Sequence, residues 1–476
     1  MTLETTLNRK RFLQGSAAVG GGIAIGGPLS ALAARTAEGS RPPRAPGYGP
    51  IAPTPAEGTG TVHLALPKGF KYRVISKQLD PSIAYVTDPA TGNAVKTEIP
   101  TPGIFDGMGA FRGPGGTTIL IRNHEHRQQV GEPAVIVPLG DRYDPNPKYN
   151  AGNTKLVVGR DRKVLKTIHV LAGTSTNCAG GETPWGSWIT CEEVFIAQSA
   201  TDLKHGYCFE IDAYADEPNP AVPIKAAGCF PHEAVAWLKG ILYETEDDGK
   251  PSGFYRWTPD RKPREFGDMA STGGPLQAIK RKGVAAYNAD GATIGDTFDV
   301  EWVTIPNPDP ATNTVGTQGT ALGMISFSRL EGCWVGDDKV YFDSTSGGPA
   351  GAGQVWEYDP RKERLRLVYQ STDPAVLQAP DNLVYVPHTG DVWLQEDGAG
   401  EQFVRGVTQD GKIYDFAQTI LSDSEFCGGV FSPDGDTFFL NQQGGTGVTN
   451  PADVDAEGAV TYAIWGPFGS KKRDDD

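Results

Sequence analysis

Residues 427–443 read CGGVFSPDGDTFFLNQQ. A small polar cluster, Cys427-Gly428-Gly429, leads into a short apolar run. Pro433-Asp434-Gly435 then supplies turn chemistry, and FFLNQQ (438–443) runs back to end in amides. The stretch is one antiparallel hairpin, so the start of its first arm and the end of its second share an edge. The unit recurs. Five other strands end in acids, amides or both: LIRNHE (120–125), WITCEE (188–193), LYETED (242–247), VYFDST (340–345) and VWLQED (392–397). Upstream of them stand Asp106-Gly107-Met108, Asn177-Cys178-Ala179-Gly180-Gly181, His232-Glu233, Arg329-Leu330-Glu331 and Asp381-Asn382. Six such hairpins, set radially, are the inner strands of an all-β, six-bladed β-propeller, and all these polar ends converge at one mouth of its central channel.

The intervals between most strand ends suit one four-stranded blade plus loops, about 40–50 residues. The interval from Leu242 to Val340 is longer, and residues 263–320, with Pro306-Asn307-Pro308-Asp309-Pro310, read as an irregular insertion. Within it, residues 276–287 are expected to form a short helix. Closure of the ring is expected from an N-terminal strand completing the last blade near residues 459–467, which removes the exposed edge.

The chain carries 43 basic and 58 acidic residues, a net charge of −15. Nucleic acid is therefore not the expected partner. Residues 1–34 read as a removable export signal: Arg9-Lys10-Arg11-Phe12-Leu13 resembles a twin-arginine motif with Lys10 in place of the second arginine, and Ala31-Leu32-Ala33 is a small-residue cleavage pattern. The Gly-rich run between them is too short and weakly apolar for stable membrane insertion. Residues 35–60 are then an N-terminal arm or linker, 61–467 a single propeller domain and 468–476 a disordered charged tail. The expected location is periplasmic or extracellular, the expected state a monomer, and the export partner the twin-arginine machinery.

Adjacent carboxylates such as Glu192-Glu193, Glu246-Asp247 and Glu396-Asp397 repel each other at a strand end unless a hard cation relieves them, and oxygen donors suit calcium. Cys178 is a different donor among these oxygens. It reads as a thiolate for a transition metal, iron before calcium, whereas Cys191 reads as packing. Six cysteines in an exported chain could pair, but a core this long does not need disulfides. Arg329 and Glu331, two apart, point to one strand face, which places a bidentate donor for an oxyanion at the mouth. His232, beside Glu233, is a ligand or acid candidate. No phosphate-binding loop, dinucleotide fingerprint or Ser-His-Asp order is present.

Taken together, Asp106-Gly107-Met108, Asn123-His124-Glu125, GTSTNCAGGETPWGSWITCEE (173–193), Pro231-His232-Glu233-Ala234, Thr245-Glu246-Asp247, Arg329-Leu330-Glu331, Pro380-Asp381-Asn382-Leu383, Glu396-Asp397-Gly398 and Ser432-Pro433-Asp434-Gly435 resemble the PhoX-type alkaline phosphatases, in family order across residues 60–467. The resemblance implies a six-bladed propeller whose mouth holds ferric iron (Fe3+) and calcium (Ca2+). It implies Cys178, Glu192, Glu193, Glu246, Glu331, Glu125, Asp381 and Asp397 as metal ligands, with Arg329, Glu246 and Glu331 catalytic. Arg329 is the implied phosphate contact, and Asn123, Asn177 and His232 at the same mouth are further substrate-contact candidates. The expected activity is release of phosphate from small phosphate esters, with metal-activated in-line attack and Arg329 on the equatorial oxygens. The competing readings are a calcium-dependent propeller lactonase or esterase, and a non-catalytic, calcium-stabilised binding propeller.

Overall fold

The computed structural model describes residues 46–128 and 133–469. The export signal expected over residues 1–34 and most of the expected tail lie outside the described residues. The arrangement is all-β and propeller-like. Six hairpins organise it: Phe105–Arg112 with Thr118–His124, Asn177–Glu182 with Ser187–Glu192, His232–Leu238 with Ile241–Glu246, Leu330–Gly336 with Lys339–Ser344, Pro380–Tyr385 with Val392–Glu396, and Phe426–Phe431 with Phe438–Gln442. Their first arms neighbour one another in chain order, and the last returns to the first.

Apolar clusters fill the spaces between successive hairpins. Ile121 and Trp188 meet between the first and second, Ile189 and Trp237 between the second and third, and Phe254 and Phe342 between the third and fourth. Tyr341 and Leu394, Trp393 and Phe438, and Met108 and Val430 fill the remaining three spaces. Alternating apolar residues make each sheet two-faced, so each face must be covered by the next sheet. Trp393 lies stacked on Phe416, ring centroids 3.8 Å apart.

The hydrogen-bonded sheets do not divide as simply as six blades would. Thr297–Thr304 pairs with Leu276–Arg281 on one side and Arg364–Gln370 on the other, fusing the third and fourth hairpins into one nine-stranded sheet. This corrects the reading of residues 263–320 as irregular and of 276–287 as helix. Leu276, Ala278 and Ile279 are buried, and neighbouring strands supply the segment's ladder on both sides, which holds it extended. The α-helix in this segment is Val315–Ala321. The ring closes as expected, with Lys71–Lys77 antiparallel to Val460–Trp465. Part of the expected arm also belongs to a sheet, since Ile51–Thr54 pairs with Leu64–Pro67. Among the described residues no helix is long and apolar enough to cross a membrane.

Candidate metal centre

All six hairpins carry the same irregularity. After the first residue or two of the first arm the register shifts by one, so three steps on that arm match two on the other: Phe105 pairs with His124 but Met108 with Arg122, and Leu330 pairs with Ser344 but Cys333 with Phe342. A bulge of this kind re-aims side chains and is common beside active sites. The second residues of the arms are Asp106, Cys178, Glu233, Glu331, Asp381 and Cys427. All but Asp381, which is partly exposed, are buried. They form an inner ring.

A rim stands above it. The residues just past the second arms are Glu125, Glu193, Asp247, Thr345, Asp397 and Gln443, and each donates its backbone N–H to the carbonyl of the residue just before the first arm, at 2.9–3.2 Å. Those carbonyls belong to Ile104, Thr176, Pro231, Arg329, Ala379 and Glu425. Four of them hold positive φ: Ile104 (49°), Thr176 (52°), Arg329 (51°) and Ala379 (41°). Strained non-glycine backbone of this sort gathers where structure fixes a functional geometry. The inner strands also approach closely. A Cβ on Gly332 would lie 2.6 Å from Leu383 N, and one on Gly428 would lie 2.3 Å from Asp106 O, so glycine is required at both.

Three groups of ligand atoms result, each within 4.8 Å of one another: Cys178 with Glu193 and Glu233, Glu233 with Glu331 and Asp381, and Asp381 with Asp397 and Glu425. Glu233 is shared by the first two and Asp381 by the last two. Two guanidiniums face these acids. Arg127 bonds Glu125 and, at 3.0 Å, Glu193. Arg329 grips Asp247 through Nε and Nη2 at 3.1 and 2.9 Å and reaches Glu331 Oε1 at 2.7 Å.

The acids outweigh these cations. Burial first, then mutual repulsion, pushes Asp106, Glu193, Glu233, Glu331 and Glu425 well above the usual carboxylate range and Asp381 to about 7. Burial, with Glu233 and Glu193 beside it, likewise raises the Cys178 thiol. The thiolate expected there therefore needs a cation to form. Asp106 Oδ1 and Glu233 Oε1 are buried without a hydrogen-bond partner. Oxygen donors of this density beside one sulfur suit hard cations together with a softer transition metal.

Five residues picked from the sequence stand elsewhere. Glu192 accepts from Ser175 N, Gly206 N, Tyr207 N and His205 Nδ1, the last at 2.6 Å, and joins none of the three groups. Glu246 accepts from Tyr255 Oη at 2.6 Å and Gly253 N at 2.9 Å, with burial raising it to about 7. Each is one residue short of the rim, and on a strand one step reverses the side-chain face. Asn177 and His232, the first residues of their arms, lie one step from the inner ring. Asn177 bonds Thr190 and Thr174, and His232 faces Glu244. Asn123 instead ties two hairpins together, donating to Cys178 O at 2.6 Å and Ala179 O at 2.8 Å. Conversely, the side chains of Asp106, Arg127, Glu233, Asp247 and Glu425 belong to the mouth without being among the ligand candidates of the sequence. The adjacency of Glu233 to His232 and Asp247 to Glu246 was the available signal. A cavity of about 600 Å³ lined by Trp185, Trp237 and Trp334 opens at the turn ends of the hairpins and shares no residue with the mouth.

A family model described as alkaline phosphatase PhoX matches residues 46–445. None of the curated proteins matches the chain. Among solved structures, Pseudomonas fluorescens PhoX in complex with vanadate, a transition state analogue, is similar with a TM-score of 0.65 at 18% identity, covering 88% of this chain and 97% of that one. A luciferin-regenerating enzyme follows at a TM-score of 0.31 and 8% identity, covering 60% of this chain and 90% of its own. The first likeness agrees with the fold, and the family match covers most of the chain. The chain belongs to the PhoX alkaline phosphatase family.

Proposed function

We propose that this phosphatase releases phosphate from small phosphomonoesters at the acidic mouth of a six-bladed propeller, with ferric iron and calcium held there. The observation that carries the reading is the run of three donor groups linked through Glu233 and Asp381, with buried oxygens lacking partners. The six hairpins and the six apolar clusters between them support the blade count, the nine-stranded sheet being two blades joined by Thr297–Thr304.

Cys178, Glu193 and Glu233 would hold iron, the soft donor choosing the transition metal. Glu331, Asp381, Asp397 and Glu425 would hold calcium, with Glu125 and Asp106 at hand. When bound, these ions supply positive charge to the phosphoryl oxygens and acidify water for attack. Arg329 does the remaining recognition. Its guanidinium is partly exposed, and Asp247 and Glu331 hold its fork in place, ready to share donors with an equatorial oxygen of the ester. Glu331 thus positions Arg329 as well as ligating. The vanadate bound by the Pseudomonas relative is consistent with a phosphoryl-like oxyanion as the recognised species.

The signal expected over residues 1–34 would deliver the protein, as a monomer, to the periplasm or the exterior through the twin-arginine route. A calcium-only lactonase has no use for the Cys178 donor, which ranks that reading below. The test is elemental analysis of the purified protein paired with hydrolysis of a chromogenic phosphomonoester. Iron and calcium present with turnover agree with the proposal. Full turnover in protein verified free of both overturns it.

A further inference from the structure

Behind the mouth, between the second and third hairpins, lies a second set of donors that the phosphatase reaction does not use. Cys208, His232 and Glu244 are each fully buried, and Cys208 Sγ, His232 Nδ1 and a Glu244 oxygen lie within 4.8 Å of one another. Glu244 Oε1 is buried without a hydrogen-bond partner, and Glu244 Oε2 has only His232 Nδ1 beside it, at 3.3 Å. A buried carboxylate oxygen without a partner is costly unless something that fits it occupies the space. The His232 ring is already oriented: Nε2 faces the Gly228 carbonyl at 3.3 Å, and the ring is held against Phe230 with centroids 3.6 Å apart. A proton on Nε2 leaves the Nδ1 lone pair free, the tautomer that a backbone carbonyl imposes on a metal-binding histidine.

The nitrogen-to-oxygen spacing matches a tetrahedral ion. His232 Nδ1 and Glu244 Oε2 are 3.3 Å apart, close to the ~3.4 Å edge expected when nitrogen and oxygen each lie about 2.0–2.2 Å from one centre. Cys191 Sγ, paired across the strands with Cys208, is 3.7 Å from Cys208 Sγ but lies outside the group that the three donors form. We infer that Cys208, His232 Nδ1 and Glu244 form a buried structural site for a zinc-class divalent ion. Thiolate, imidazole and carboxylate together select a borderline-soft ion over calcium. Because all the donors are enclosed, the ion enters as the two sheets close, and its binding stabilises the fold.

The test keeps this site apart from the mouth by working in Cys178→Ser protein, where none of the three donor groups of the mouth keeps a sulfur. That protein is loaded with cobalt(II) alone, and its spectrum is compared with those of Cys178→Ser/Cys208→Ser and Cys178→Ser/Glu244→Gln. The expected result is a thiolate-to-cobalt charge-transfer absorption in the parent, absent without Cys208 and weakened at least tenfold in apparent affinity with Glu244→Gln. Circular dichroism confirms folding, and the near-isosteric Glu244→Gln serves if the serine variant does not fold. Peptide mapping of the wild-type protein gives an independent reading. A Cys208 that alkylates only after chelation supports the site, whereas a Cys191–Cys208 disulfide, or no thiolate-to-cobalt absorption in the parent, overturns it.

Discussion

Stripping the cations from the mouth should make the stability of this protein fall as pH rises. The group with the clearest magnitude is Asp381, whose carboxyl moves from an ordinary 3.8 to about 7, first through burial and then through Asp397. At 1.36 kcal/mol per pH unit that is about 4 kcal/mol, and because Asp381 is partly exposed, screening brings it to about 2 kcal/mol. The sign follows from linkage. A carboxyl whose folded value is raised contributes its stability below the unfolded value near 4 and loses it as pH rises through about 7. Glu233, Glu331 and Glu425 are displaced in the same direction. Bound cations remove the repulsion, so loaded protein lacks this loss. The assay is thermal unfolding of chelated and reloaded protein from pH 4 to pH 8 at one scan rate. The difference in Tm should widen with pH, by about 2 °C or less for each kcal/mol in a domain this large, and turnover should return on reloading. Parallel pH profiles for the two forms would refute the claim that cations neutralise the mouth.

Three further outcomes are expected. Arg329→Lys keeps the charge but loses the fork on Asp247 and Glu331, so kcat/KM for phosphomonoesters should drop by about 1–3 kcal/mol with metal content unchanged; an unaltered kcat/KM would leave Arg329 a structural ion-pair partner. Glu192→Gln should lower stability by about 1–3 kcal/mol in urea titrations, through the bonds from His205 and Gly206, while iron and calcium per chain stay at wild-type levels; metal loss would restore Glu192 as a ligand. Gly332→Ala drives a Cβ against Leu383 N and Asp381 O, both backbone atoms, so it should cost about 1–3 kcal/mol and weaken calcium binding; wild-type melting would show that the inner ring can spread.

The hairpins, their number and the edge where their polar ends meet were legible because each is local: turn residues, alternation and a terminal acid lie within one short stretch. Three things were not. The strand at Leu276–Arg281 owes its state to partners on both sides, Phe254–Trp257 and Thr297–Thr304, and only the latter lies within the segment read as irregular. Propensity within residues 276–287 could not reveal those partners. The face of each acid was the second difficulty. In Glu192-Glu193 and Glu246-Asp247 the sequence offers two carboxylates and only one reaches the rim, and the choice depends on a register that strand pairing sets. The bulge was the third. It places Glu233 rather than His232 in the inner ring, and it turns His232 toward Glu244 and Cys208, residues that nothing in the local pattern connects. One dislocation, repeated at the head of six hairpins, therefore has two effects: it gathers acids from distant parts of the chain into one mouth, and in the third hairpin it leaves a histidine aimed at a buried cysteine and carboxylate behind it.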